Sequence, residues 1–421
     1  MRFLQYNVER TTHLRRSAPM LSFEVGERKS FFEETILDIL LTERESEEDP
    51  LDYIMDECRD SVKKLLEEAM RIERDHHLGF GRYERGIGKE DSRNGYYERD
   101  LESVFGLMED LHIPRTRNNT FQTNLIKRYQ RRQRLVGNMI REMFVRGVST
   151  RRVGEVLTPI LGIEPSPSTV SKIAKSLDEE VRRYRKRPIS DDYIYLILDG
   201  ITMKIKEAPH AKKVTVLCAY GITWEGKREL ISFEQVRAES DACCEAFLNS
   251  LQKRGLEGMN LKLIVTDGSA GLINAVDLVY HGIPRQRCWA HKGRNVADKL
   301  RKRNQEECLA GMKKIYNQAN RQGAIGAYLE WEKRWKDEES AAVECLAKDL
   351  EDMLTFYSMP QEHWKKVRTT NLIERIFREV RRRTRPMTCF ANRASCDRII
   401  FAVFDTFNKR WATHPMANFG H

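Results

Sequence analysis

At 421 residues the chain is long enough to bury a large core and to hold two or more domains. Its formal net charge of +10 and pI near 9.1 favour a polyanionic partner, and no apolar segment approaches the roughly 18 residues that a membrane-spanning helix needs. The first residues lack a signal-peptide core and the nine cysteines show no framework spacing, so the expectation is a cytoplasmic protein with free thiols and no membrane partner.

Residues 1–28 show no clear period. From Ser30 to Leu41 and from Leu51 to Ile72 apolar positions recur at helical spacing, the second as Leu51, Ile54, Met55, Cys58, Val62, Leu65, Leu66 and Ala69. Such a face is expected to pack within its own domain, with a partner subunit as the alternative. A mobile-looking stretch from Gly79 to Gly88 follows, and then Asn94-Gly95, a turn signal whose flanks read as short strands.

The basic residues Lys127, Arg128, Arg131, Arg132 and Arg134 precede a helix that runs through Val145. A second short helix is predicted over Ser149–Leu157 and a third over Ser168–Leu177, entered through Pro165 and Pro167. Three short helices, with Ser168, Thr169, Ser171 and Lys172 at the start of the last, are what a helix-turn-helix presents to a major groove; Arg151 and Arg152 open the second helix. A small helical bundle would carry the same pattern. The adjacent run Arg182-Arg-Tyr-Arg-Lys-Arg-Pro188 favours DNA, because phosphate contacts supply most of the affinity.

Tyr193-Ile-Tyr-Leu-Ile-Leu-Asp199 reads as a strand buried on both faces that finishes on a carboxylate. A buried acid calls for a compensating cation, although an Asp-Gly pair also starts ordinary turns. Three strands are predicted in succession, Tyr193–Lys206, Lys213–Ile222 and Glu229–Val236, then a helix Asp241–Arg254 closed by Gly255. Leu261-Lys-Leu-Ile-Val-Thr-Asp267 repeats the strand ending in Asp-Gly, and a helix Ala270–Tyr280 leads to a short strand Arg285–Cys288. This βββαβαβ order is that of a ribonuclease-H-like α/β fold with a mixed sheet, in which the first and fourth strands are neighbours and Asp199 meets Asp267. Two carboxylates brought together repel unless a cation sits between them. A two-metal site needs a third acid, and the best candidate is Glu374, beside the apolar face Leu372, Ile373, Ile376, Phe377 and Val380 of a predicted helix. Asn371 with Glu374 also reads as a capping box.

Glu239-Ser240, Phe247-Leu248, Lys253-Arg-Gly-Leu256, Val265-Thr-Asp-Gly268 with Gly271-Leu272, Gln286-Arg-Cys-Trp-Ala-His291 with Arg294-Asn295, and Arg368-Thr-Thr-Asn371 with Glu374-Arg375 follow one another at characteristic spacing. Together with Arg93-Asn-Gly-Tyr-Tyr97, Pro114-Arg115 and Gly147-Val-Ser-Thr-Arg151 they resemble the bacterial Mutator-type insertion-sequence transposases, from about Tyr83 to about Arg410. The resemblance implies a DDE transposase in which Asp199, Asp267 and Glu374 are the catalytic triad and hold Mg²⁺, with Mn²⁺ as a substitute. It implies double-stranded DNA as partner, both terminal inverted repeats and target. It places Cys288-x-x-His291 near the active site, where His291 is a candidate to contact the scissile phosphate or to orient the attacking water, with packing as the alternative. The chain departs from the family pattern at Ile201-Thr-Met203, where an aromatic residue is usual, and at Cys243-Cys244, where a Trp is common.

The stretch between Asp267 and Glu374 has helical periods, and the resemblance places an all-helical insertion there, about Lys292–Lys366. The organisation expected is therefore an N-terminal helical and small β region for dimerisation or end binding (1–124), a helix-turn-helix-like module with a basic linker (125–187), the first part of the catalytic core (188–291), the insertion (292–366) and the last part of the core with C-terminal helices (367–421). Arg375, Arg378 and Arg382, with Arg381, Arg383 and Arg385, are candidates to hold a DNA backbone, or a solvated helix face. Trp331 and Trp335 are candidates to stack on an unpaired base, or core residues. Cys288 and His291 alone supply half of a tetrahedral zinc site. The reaction expected is hydrolysis at an element end followed by attack of the freed 3′-hydroxyl on another phosphodiester, by a homodimer that holds two ends at the bacterial nucleoid. A domesticated, non-catalytic DNA-binding regulator and a simple nuclease are the alternatives.

Overall fold

The computed structural model describes residues 50–80, 91–207, 210–236, 240–385 and 389–419. The helix predicted at Ser30–Leu41, most of the Gly79–Gly88 stretch and Glu239 lie outside these residues. The chain divides into two compact units, Met1–Glu98 with Leu111–Leu125, and Arg99–Asp110 with Ile126–His421.

In the smaller unit, α1 (Pro50–Leu78) continues past its predicted end at Ile72. No breaker intervenes before Gly79, which takes a left-handed φ of 72° and returns its N–H to Asp75 O at 3.1 Å. The predicted apolar stripe is only partly covered: Val62, Leu66 and Ala69 are half-buried, but Ile54, Met55, Cys58 and Leu65 are exposed, and burial falls on Met70 and Arg74 instead.

A two-stranded hairpin of β1 (Arg93–Ser103) and β2 (Gly106–Thr116) has its tip in the larger unit and its ends in the smaller. Asn94-Gly95 is not its turn, contrary to expectation, but lies inside β1. The chain reverses at Val104-Phe105, where the Ser103 hydroxyl donates to Gly106 O at 2.8 Å and accepts from Phe105 N at 3.1 Å. Gly106 supplies the positive φ there.

The larger unit opens with four short helices, α2 (Arg134–Val145), α3 (Arg152–Leu161), α4 (Pro167–Ala174) and α5 (Leu177–Lys186). The first three enclose a small core of Val136, Ile140, Val153, Leu157, Ile163 and Val170. Ser166 caps α4 by accepting from Thr169 N at 3.2 Å, and Pro167 suits the first turn. The third predicted helix ends at Ala174, short of Leu177, where the Ser176 hydroxyl turns back to Ile173 O at 2.7 Å, and the run expected as a basic linker is itself helical, as α5.

A mixed five-stranded sheet follows, built from β3 (Tyr193–Glu207), β4 (His210–Thr223), β5 (Arg228–Val236), β6 (Leu263–Thr266) and β7 (Arg285–Arg287) in the order β5-β4-β3-β6-β7. The first three strands are antiparallel; β6 runs parallel to β3, and β7 parallel to β6. Strand periodicity sends alternate residues to opposite faces. Leu196, Leu198, Leu217 and Ile264 pack with Phe247 and Leu251 of α6 (Asp241–Lys253) and Leu272 of α7 (Ala270–Val279).

The other face, with Ile197, Val216 and Val265, shares one core with Ile376 and Phe377 of α14 (Asn371–Thr384) and Ile400 and Phe404 of α15 (Arg393–Ala412). Between β7 and α14 the chain forms only helices: α8 (Trp289–Ala297), α9 (Gln305–Ile315), α10 (Arg321–Trp335), α11 (Ser340–Ala347), α12 (Leu350–Leu354), α13 (Trp364–Val367) and short 3₁₀ turns. Trp331 and Trp335 lie in their core at 4% and 2% exposure, which removes both from base stacking. The Trp331 indole N–H is already donated to Cys308 O at 2.9 Å.

Candidate active site

The parallel register pairs Ile197 of β3 with Val265 of β6; Asp199 lies two residues further along β3 and Asp267 just past the end of β6, near enough for its charge to act on Asp199. Asp199 is 4% exposed. One carboxylate oxygen accepts from Gly200 N at 2.7 Å, while the other, Oδ2, is buried with no hydrogen-bond partner. Burial, and next the charge of Asp267, push its carboxyl up to about 7, with Glu374 adding to the rise. Asp267 is half-buried and accepts from Ser269 N at 3.0 Å. Between them Gly268 turns at φ 89°, and a Cβ there would run into the Arg287 guanidinium.

The third acid arrives on α14. Its N-cap is Thr370, whose side chain makes no cap, and Asn371 is already inside the helix, so the capping-box alternative is not formed. The Glu374 carboxylate instead meets His291 Nε2 at 3.4 Å and Arg294 Nη2 at 2.9 and 3.2 Å. His291 and Arg294 are three residues apart on one face of α8. Asp199, His291 and Glu374 each offer a ligand atom within 4.8 Å of the others, a grouping that does not include Asp267. Burial lowers the His291 pKa against the pull of Glu374 and favours the neutral imidazole.

Thr370, fully buried, joins these parts. Its N–H and hydroxyl reach Cys288 Sγ at 3.2 and 3.4 Å, its Oγ1 lies 3.3 Å from His291 Nδ1, and its carbonyl accepts from Glu374 N at 3.0 Å. Cys288 N donates to Thr266 O at 2.9 Å, which hangs the Cys288 to His291 turn on the end of β6. The thiol is thus committed to packing, and its pKa is raised by burial. Thr370 and Arg294 were missed as site residues although both stand inside the sequence motifs quoted for the resemblance. Arg287, also missed, donates to Asp349 at 2.6 Å and keeps a buried Nε without a partner.

Of the predicted backbone contacts, Arg375 and Arg378 are exposed and form no ion pair among the described residues, whereas Arg382 is engaged by Glu379 at 2.8 and 2.9 Å. In the helix-turn-helix-like region Arg151, Arg152, Ser168 and Lys172 are exposed, and Thr169 and Ser171 are half-buried. Arg151, Ser168 and Ser171 line a cleft of about 730 Å³ together with Asn392 and Arg398. The nine cysteines are all free, and no helix among the described residues is long and apolar enough to cross a membrane.

The model of the Mutator family of transposases matches residues 33–414. The chain is 33% identical over 356 residues to the transposase for insertion sequence element ISRM5 of Rhizobium meliloti (strain 1021), covering 85% of this chain and 89% of that protein. It is 34% identical over 362 residues to the transposase for IS406 of Burkholderia multivorans, covering 85% and 92%, and 30% identical over 363 residues to that for IS905 of Lactococcus lactis subsp. lactis, covering 86% and 92%. An ordered match of this extent, on a chain whose separated sequence motifs meet around two strand ends and one helix start, means that the protein belongs to the Mutator family of transposases.

Proposed function

We propose that the protein is a DDE transposase that binds the terminal inverted repeats of its insertion sequence and carries out metal-dependent strand cleavage and strand transfer. The sheet order supports reading the core as ribonuclease-H-like, with three antiparallel strands followed by two parallel ones. The observation that carries the proposal is the orphaned Oδ2 of Asp199, buried beside Asp267 and within ligand reach of His291 and Glu374. A buried carboxylate beside a second acid is relieved by a proton or by a divalent cation, and the ligand atoms of His291 and Glu374 around it favour the cation.

Asp199, Asp267 and Glu374 would hold Mg²⁺, or Mn²⁺ in its place, as hard oxygen ligands suit both. When bound, the ions supply Lewis-acid activation of the attacking oxygen and charge stabilisation at the leaving oxygen of an in-line displacement. The side chains supply no nucleophile: water cuts the strand, and the freed 3′-hydroxyl attacks a second phosphodiester. Neutral His291 orients water or contacts the scissile phosphate, held in place by Thr370. Arg294 keeps Glu374 aimed at the site. Residues 125–187 grip the duplex through the exposed side chains at the starts of α3 and α4, and a homodimer holds the two element ends together at the nucleoid.

Purified protein incubated with Mg²⁺ and labelled terminal-repeat DNA, beside Asp267→Asn, tests this reading. Joined products that vanish in the variant are expected. Cleavage without joining would make the protein a nuclease, and binding without cleavage a regulator.

A further inference from the structure

The basic residues of α14 fall into two sets. Arg382 and Arg383 close on Glu379, and Arg383 is buried beneath Gly147. Arg378, Arg381 and Arg385 instead recur on the same helical face as Glu374, and all three are exposed with no ion pair among the described residues. They form a stripe that starts at the carboxylate, with Arg381 and Arg385 roughly 10 and 16 Å along the helix axis from it.

Opposite that stripe lies an unusual edge. Pairing of β3 with β6 stops at Ile197, but β3 continues to Glu207. Among the described residues, no strand lies beside this edge past Asp199 until Phe390, which exchanges hydrogen bonds with Lys204 O at 2.9 Å and Lys206 N at 2.8 Å. The gap between this edge and α14 is a cleft of about 260 Å³ lined by Thr202, Lys204, Arg381, Thr384 and Arg385, together with Phe390. Three cations and two hydroxyls line it, and among the described residues no carboxylate does. Such a donor set calls for an anion with several oxygens. A groove of this size fits one sugar-phosphate backbone.

We infer that this cleft is a phosphodiester track for a single nucleic-acid strand, with Lys204, Arg381 and Arg385 on successive phosphates of the strand that runs away from the carboxylates. The inference rests on DNA being the substrate, as proposed above, and adds which residues lead one strand from the site.

The test is fluorescence-anisotropy titration of the full chain with a labelled single-stranded oligonucleotide lacking the terminal repeat, in EDTA, at a series of salt concentrations. For a triple variant, Lys204→Gln with Arg381→Gln and Arg385→Gln, the slope of log K against log salt is expected to shrink by about 2, since each single-strand phosphate contact is worth about 0.7. The charge-preserving set, Lys204→Arg with Arg381→Lys and Arg385→Lys, is expected to keep the wild-type slope. An unchanged slope in the Gln variant, with its melting temperature preserved, would overturn the inference. So would an equal loss on removing three cations elsewhere, Lys313→Gln, Lys314→Gln and Lys333→Gln, because the effect would then be net charge alone. Failure of strand cleavage with the slope change intact would count against the transposase reading and leave the track standing.

Discussion

Asp199 carries more electrostatic burden than any other acid around the site, because it is buried, faces a second carboxylate, and leaves one oxygen without a donor. Removing its charge therefore relieves the metal-free protein. Asp199→Asn is expected to raise the melting temperature in EDTA, by a stability gain on the order of 1–3 kcal/mol, and to remove the rise in melting temperature that Mn²⁺ is expected to give the wild type. A lower melting temperature in EDTA would mean that the carboxylate is satisfied in a way the structure does not display. Thr370 is the positioning residue that touches Cys288, His291 and the start of the helix bearing Glu374. Thr370→Val is expected to lower strand cleavage about 10- to 100-fold, as loss of a supporting hydroxyl does at metal sites, with terminal-repeat binding unchanged and Thr370→Ser restoring most of the rate.

At the scale of elements, two turns are held by single residues. Gly268 sits at φ 89° against the Arg287 guanidinium. Gly268→Ala is expected to cost about 1–3 kcal/mol in urea unfolding and to displace Asp267. In the smaller unit, burial works against the Asp91 carboxylate, but the Thr120 and Thr116 hydroxyls and the Asn118 and Ser92 amides outweigh it and hold its pKa well below the usual carboxylate range. The sign follows: a depressed folded pKa gives stability that is present above the ordinary value and lost as pH falls through the folded one. Hydrogen-exchange protection of the Asn118 amide should fall on acidification, and Asp91→Asn should remove that dependence. Elements with a strong period were legible from residues alone. The three-strand meander, both strands leading to aspartates and the helix of Glu374 lie within a few residues of their expected bounds. What failed were local signals with competing partners. Asn94-Gly95 looked like a turn but was absorbed into a strand, Ser176 ended the third helix short of Leu177, and Asn371 lost the capping position to Thr370.

For the whole molecule, the sequence motifs made legible that Asp199, His291 and Glu374 come together, and left illegible the contacts that support them. Asp199 with Asp267 followed from two similar strands in a recognisable order. The bridging role of Thr370 depends on sulfur and imidazole contacts that no spacing encodes, since Cys288 and His291 reach it from a distant segment. The tryptophans at 331 and 335 could be assigned to the core only once their burial was seen. In the proposed transposase the acids jointly grip divalent ions while DNA is bound. Crystals of the protein with terminal-repeat DNA, soaked in Mn²⁺ and measured for anomalous scattering, test it most directly. Strong peaks among Asp199, Asp267 and Glu374, lost in crystals of Asp199→Asn, are the expected result. Mn²⁺ bound elsewhere, or retained at full occupancy in that variant, would contradict the account.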